Sequence, residues 1–245
     1  MYPGVGGSRG RLRPLIVHVE AGLRSFDREM PEEINRILTD ALSDVLFTTE
    51  EGAMKHLQSE GIAKNKIFFV GNTMVDTLLK HQDKAMQSPI LQVLGLRRVA
   101  QVFKLKETRQ STTHVKQPVY PYAVLTLHRP SNVDLPKTLK PILDALKVIG
   151  KTLPIIFPMH PRTRTRLADF GFQRYFVHPL GDGQVTVKGP GLYGIDPLGY
   201  LEFLCLTSHA LLVLTDSGGI EEEITILRVP CLTIRENTER PITVM

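Results

Sequence analysis

The sequence predicts an α/β protein built from two parallel-sheet units joined by a basic connector. Three observations carry that prediction. Short apolar runs of strand length alternate with stretches of helical period on both sides of the connector, the pattern of parallel strands covered on both faces. The chain has 245 residues, 42% of them hydrophobic and 22% charged, a globular balance whose length fits one or two domains. The net charge of +5 is local: residues 81–120 hold 7 Lys+Arg against 2 Asp+Glu, while residues 1–80 hold 10 against 11 and residues 121–245 hold 13 against 12. The expected division is a first domain over 1–84, a basic linker over 85–118 and a second domain over 119–245.

In the first domain, residues 15–19 read as a buried strand. A helix follows over 32–42 with Pro31 at its first position, where a missing N–H breaks no intrahelical bond. Residues 45–48 read as a strand, and 50–60 as a helix that Thr49 is placed to cap and Gly61 to end. A third strand over 67–70 and a helix over 74–81, after Gly71-Asn72, complete the unit. The second domain repeats the alternation, with strands over 122–127, 154–157, 210–214 and 231–234. Its helices fall over 136–149, 162–170, 200–208 and 220–227, and the stretch 181–194 reads as irregular. Two such units are expected to hold a ligand between them, outside the carboxyl ends of the strands.

Several function classes are excluded at this level. Cys205 and Cys231 are far apart and each sits among apolar neighbours, which leaves no disulfide framework and no cysteine-based zinc site. No apolar run approaches a membrane span, and the run over 15–19 is too short for a signal-peptide core. The expectation is a soluble, cytoplasmic protein without a membrane partner. The basic segment contains Ser88-Pro89 and Gln117-Pro118 but no nucleic-acid motif or basic helix stripe. It reads as a solvated linker, and no nucleic-acid partner is expected.

The strongest local signal is Thr215-Asp216-Ser217-Gly218-Gly219, which joins a buried strand directly to a helix carrying Glu221, Glu222 and Glu223. Glycines allow close backbone approach, and the free N–H groups of a helix start suit a phosphate or diphosphate. Glu223, one turn in, is placed to accept two hydrogen bonds from a ribose diol. A plain strand-to-helix turn, with three glutamates on the helix dipole, fits the same residues. In His18-Val19-Glu20-Ala21-Gly22-Leu23-Arg24, strand alternation points His18 and Glu20 the same way at a strand's carboxyl end. Glu32 and Arg36 stand four apart on the helix after Pro31, either as a surface pair or as a carboxylate poised by a guanidinium. His128 and His160 each follow a buried strand and precede a proline, and imidazole donates readily to phosphate oxygens. No carboxylate or cysteine accompanies them at ligand spacing, so neither a metal nor a cofactor is expected. Arg240 follows the last strand, either to clamp an anion or as part of a solvated charge cluster.

Taken together and in this order, these motifs resemble the non-hydrolysing UDP-N-acetylglucosamine 2-epimerases. The matching blocks are 18–24, 30–40, 70–73, 126–134, 158–161, 197–203, 215–223 and 235–241. The resemblance implies two Rossmann-like domains as in the B-type glycosyltransferases, with UDP held chiefly by the second. It implies elimination of UDP to leave 2-acetamidoglucal, then re-addition after C2 is reprotonated on the other face, so that UDP-GlcNAc and UDP-ManNAc interconvert. Carried onto this sequence, Glu20 and Glu32 are the acid/base candidates with Arg36 beside them. His128 and His160 line the nucleotide-sugar site, and His128 is grouped with the catalytic residues. Ser217, Gly218 and Gly219 hold the diphosphate with Arg240, Glu223 takes the ribose, and Phe203 packs on the uracil. A homodimer is implied for full-length members.

The chain departs from the family pattern in places. A Gly-Thr-Arg-Pro-Glu loop and a His-Gly-Asp block, usual near the family's start, are not present, and the pattern stops just past Arg240. Glu221 stands where Gln is usual, and Arg228 where a helix-ending Gly is usual. These departures lead to the expectation of a partial chain, with both sheets incomplete, apolar faces uncovered and little turnover. The alternatives carried forward are an inactive UDP-binding fragment and a hydrolysing epimerase.

Overall fold

The computed structural model describes residues 13–96, 120–180 and 185–235. The chain divides into two compact units, Met1–Thr73 and Met74–Met245. In the first, β1 (Val17–Val19), β2 (Val45–Thr48) and β3 (Ile67–Phe69) pair in parallel in that order. Leu46 is central, opposite His18 on one side and Ile67 on the other. α1 (Pro31–Leu42) links β1 to β2, and α2 (Glu51–Ser59) links β2 to β3. The core is small: Ala21, Leu46, Leu57 and Ile67, with Met54 and Ile62 packed on it. Val17, Val19 and Phe69 are each about half exposed, at 47%, 50% and 55%, so β1, read from the sequence as a buried strand, is an exposed one, and apolar sheet surface is uncovered as expected. Pro31 opens α1 as the sequence requires, but Thr49 does not cap α2, whose N-cap is Glu50 and whose start carries no side-chain cap bond.

The second unit carries a five-stranded parallel sheet in the order β6-β5-β4-β7-β8. Its strands are β4 (Ala123–Thr126), β5 (Pro154–Pro158), β6 (Gly191–Ile195), β7 (Leu212–Thr215) and β8 (Cys231–Thr233). Helices α3 (Thr73–Ala85), α4 (Ile90–Val93), α5 (Pro130–Val133), α6 (Pro136–Ile149), α7 (Pro161–Asp169), α8 (Tyr200–Ser208) and α9 (Gly218–Leu227) complete the alternation. One buried cluster gathers Leu125, Leu139, Leu143, Phe157 and Leu167, and another gathers Val124, Ile156, Cys205, Val213 and Ile224.

Two features differ from the sequence reading, each for a physical reason. Residues 85–96 were expected in a solvated linker, yet Ile90, Leu91, Leu94 and Leu96 are buried in the same cluster as Val124 and Ile156. Their apolar spacing is that of a core-facing helical turn, and the basic charge lies further on, in residues outside the described ones. The stretch read as irregular runs into β6, whose two glycines disguise it. A Cβ at Gly194 would stand 2.5 Å from the Met159 Cε and 2.7 Å from the Leu180 Cδ2, so a larger residue there would have to displace both side chains. Arg228, where the family pattern has glycine, ends α9 in the left-handed conformation, φ 56°, which a residue with a Cβ adopts at a cost.

Candidate functional site

The order of the second sheet reverses between β4 and β7, which makes their carboxyl ends the topological switch point of an open α/β sheet. The Thr126 and Thr215 hydroxyls meet there at 2.6 Å. His128 and Arg129 follow β4, and Asp216 and Ser217 follow β7. Asp216 is fully buried and ties the two loops together. It accepts the backbone N–H groups of His128 (3.0 Å) and Arg129 (2.8 Å) and the Asn132 side-chain amide (3.1 Å). Its other oxygen lies 3.0 Å from His128 Nδ1. Burial pushes the Asp216 carboxyl up, but His128, the Arg129 N–H and Asn132 outweigh burial and hold it below the usual carboxylate range. An ionised carboxylate only accepts, so His128 carries its proton on Nδ1 and presents Nε2.

The adjacent His160 is oriented oppositely. It caps α7, and its Nδ1 accepts the Arg162 backbone N–H at 3.2 Å. The neutral ring therefore donates from Nε2. The two rings lie 6.3 Å apart, each held through its Nδ1. Ser217 is the N-cap of α9, and the first intrahelical bond runs from Glu221 N–H to the Ser217 carbonyl. The N–H groups of Gly218, Gly219 and Ile220 thus lie in the unbonded first turn, at the positive end of the dipole. Gly219 has a packing role as well: a Cβ there would stand 3.0 Å from the Met74 Cε of α3.

Glu223 is half-buried on the same helix. Burial raises its carboxyl above the usual range, and the Tyr200 hydroxyl, 3.4 Å away, opposes the rise. Tyr200 opens α8 and meets His81 edge to face at 6.2 Å. Phe203 packs partly on the core instead, while Tyr200 is 40% exposed. Glu221 is buried against Arg235 at 3.3 Å, so the acid found in place of glutamine has a cationic partner. Burial, with Glu221 nearby, pushes the Cys231 thiol up to about 11, which leaves it a protonated, unreactive thiol near neutrality. Arg240 lies outside the described residues.

In the first unit the candidate carboxylates are placed differently from the sequence reading. β1 ends at Val19, and Glu20 is left-handed with φ 75°, so the strand alternation that put His18 and Glu20 on one face stops before Glu20. Glu32 is exposed in the first turn of α1. Its neighbour Glu33 is buried and accepts from the Ser25 N–H (2.8 Å), the Ser25 hydroxyl (3.0 Å) and the Phe26 N–H (3.2 Å). Arg36 stands 3.8 Å from Glu33, three residues back, one position on from the Glu32 that the four-residue spacing pairs it with. Glu33 is thus a loop brace and Glu32 the free-facing acid.

Asp216 and Tyr200 in the second unit, and Asp40 in the first, have structural partners although the sequence reading gave them no role. Asp216 was legible as a carboxylate directly after a buried strand. Asp40 shares with Glu33 and Ile37 a spacing of four and three residues, so two acids occupy the core-facing stripe of α1, a signal of buried pairing. Among the described residues no group of three or more His, Cys, Asp or Glu is arranged to hold a metal. No helix among them is long and apolar enough to cross a membrane.

The sequence profile of the UDP-N-acetylglucosamine 2-epimerase family matches residues 11–245. The chain is 43% identical over 239 residues to a UDP-N-acetylglucosamine 2-epimerase of Methanocaldococcus jannaschii, covering 96% of this chain and 57% of that one. It is 38% identical over 232 residues to a UDP-2,3-diacetamido-2,3-dideoxy-D-glucuronate 2-epimerase of Pseudomonas aeruginosa, covering 94% and 54%. The crystal structure of the Methanocaldococcus jannaschii enzyme in complex with UDP-GlcNAc and UDP superposes with a TM-score of 0.73 at 42% identity, over 93% of this chain and 55% of that one. The chain spans little more than half the length of these curated relatives.

Proposed function

Because the chain belongs to the UDP-N-acetylglucosamine 2-epimerase family, we propose that it serves the interconversion of UDP-N-acetylglucosamine and UDP-N-acetylmannosamine. In the forward direction a base removes the C2 proton and the C1–O bond to UDP breaks, giving 2-acetamidoglucal and UDP. A proton then returns to C2 from the opposite face, and a diphosphate oxygen re-forms the bond to C1. Glu20 and Glu32 are the groups proposed to exchange that proton, with Arg36 on the same helix as Glu32. The second unit is proposed to hold UDP. Its diphosphate takes the first-turn N–H groups of Gly218 and Gly219 and the Ser217 hydroxyl, with His160 and Arg240 donating to the oxygens and His128 donating from Nε2 when its ring carries both protons. Glu223 takes the ribose diol and Phe203 flanks the uracil.

The observation that most supports this reading is the Asp216 brace at the switch point. It joins an oriented histidine to an open helix start where leaving-group charge develops, and fixed donors there need no reorganisation during the reaction. The named relatives differ in the sugar's other substituents and share inversion at C2, which is the chemistry proposed here. Turnover is expected to be slow, so NMR of UDP-GlcNAc after long incubation with the chain in D2O is expected to show UDP-ManNAc carrying deuterium at C2. Free ManNAc would make it a hydrolysing enzyme instead, and UDP binding without turnover a nucleotide-binding protein. The same samples on a sizing column test the homodimer implied by the resemblance.

A further inference from the structure

We propose that Asp40 is a positioning residue for proton transfer: from α1 it clasps the turn after β1, keeping Glu20 in a left-handed backbone and His18 with an unprotonated Nε2. The role of Glu20 rests on the proposed function; the clasp itself rests on geometry. Asp40 is 1% exposed, on a helix face where an apolar side chain would ordinarily pack. One of its oxygens lies 2.6 Å from His18 Nδ1. The other accepts the Gly22 N–H at 3.1 Å and lies 2.7 Å from the Arg24 guanidinium. The three donors come from residues on both sides of Glu20, so a single carboxylate bridges the turn that carries it.

The turn is held at further points. The Glu20 and Ala21 N–H groups both reach the Phe47 carbonyl, at 3.0 and 2.9 Å. His56 Nδ1 lies 3.0 Å from the Gly22 carbonyl. A Cβ at Gly22 (φ 82°) would stand 2.5 Å from the Ala53 carbonyl oxygen, so that position needs glycine. Arg24, also 1% exposed, extends the clasp to Glu60 at 2.7 and 2.6 Å. A left-handed residue with a Cβ persists only where its surroundings over-determine it, and such residues gather at functional sites. Burial pushes the Asp40 carboxyl up, but His18 and Arg24 outweigh it and hold it below the usual range. It is therefore ionised near neutrality and accepts from His18 Nδ1–H, which makes Nε2 the acceptor.

The test uses the whole 245-residue chain. Long-range 15N–1H spectra of the histidine rings, with His18 assigned by its loss in H18Q, are expected to show neutral His18 protonated at Nδ1. In D40N the amide oxygen is claimed by Gly22 and Arg24, so the amide NH2 faces His18 and the proton moves to Nε2. E20G, which relieves the left-handed strain, is expected to raise the thermal midpoint of the first unit, followed by the amides of β2, by roughly 4–8 °C. In the D40N background, where the turn relaxes, the gain falls below half. An Nε2-protonated His18 in the unsubstituted chain, or an E20G gain that is absent or equal in both backgrounds, overturns the proposal. Should D40N not fold, the ring tautomer and the E20G gain are read without it, and either result still decides. None of these readouts involves a nucleotide sugar. A chain with the clasp intact that forms no UDP-ManNAc overturns the proposed reaction alone.

Discussion

Asp216→Ala is expected to destabilise the second unit by about 3–5 kcal/mol and to weaken UDP binding at least ~10-fold. The carboxylate is fully buried, and its loss strips partners from two backbone N–H groups, the Asn132 amide and the His128 ring at once. For a unit of this size the thermal midpoint falls by about 10 °C. Asp216→Asn keeps an acceptor for the backbone, so it is expected to fold with its NH2 turned to His128 Nδ1, which removes the carboxylate charge from the ring and weakens UDP binding. Calorimetric UDP titration and thermal unfolding of both variants check this. The acid side gives a further readout. The folded carboxyl is held below its ordinary value, so its stabilisation is fully present above the unfolded value of about 4 and is lost as the pH falls through the lowered one. Asp216→Asn removes that part of the acid dependence.

Arg24→Met is expected to destabilise the first unit by about 3–5 kcal/mol, because it leaves the buried Asp40 carboxylate and the partly buried Glu60 without their guanidinium. In a unit with so small a core, that lowers the midpoint by at least ~12 °C. The double variant Arg24→Met/Asp40→Leu is expected to recover a large part of the loss, since removing both charges also removes the unpaired one. Urea unfolding followed through the β2 amides measures both. Equal destabilisation by the single and double variants would show that packing, not charge pairing, makes Arg24 important.

Much of the fold is written in local pattern. Apolar runs bounded by turns marked β2, β4 and β7, and Pro31 marked the start of α1. What escaped the pattern is β6, where Gly191 and Gly194 serve close packing that only the folded sheet reveals, and α4, whose apolar face was masked by charge further along the chain. In the candidate site the residue types were legible but their partnerships were not. Spacing paired Arg36 with Glu32, whereas helix geometry sets it beside Glu33. Alternation put His18 and Glu20 on one face, whereas a left-handed Glu20 ends the strand. The two carboxylates that order the loops, Asp40 and Asp216, act on donors 16–22 and 84–88 residues away in sequence, contacts that no local period encodes.

The most direct test of the central claim, that UDP seats its diphosphate on the first turn of α9 beside His128, is a UDP titration of the 15N-labelled chain followed by amide NMR. The largest shifts are expected at Ser217, Gly218, Gly219 and His128, saturating together with one dissociation constant and much reduced when uridine replaces UDP. Saturation by UDP with those four amides unmoved would contradict the claim.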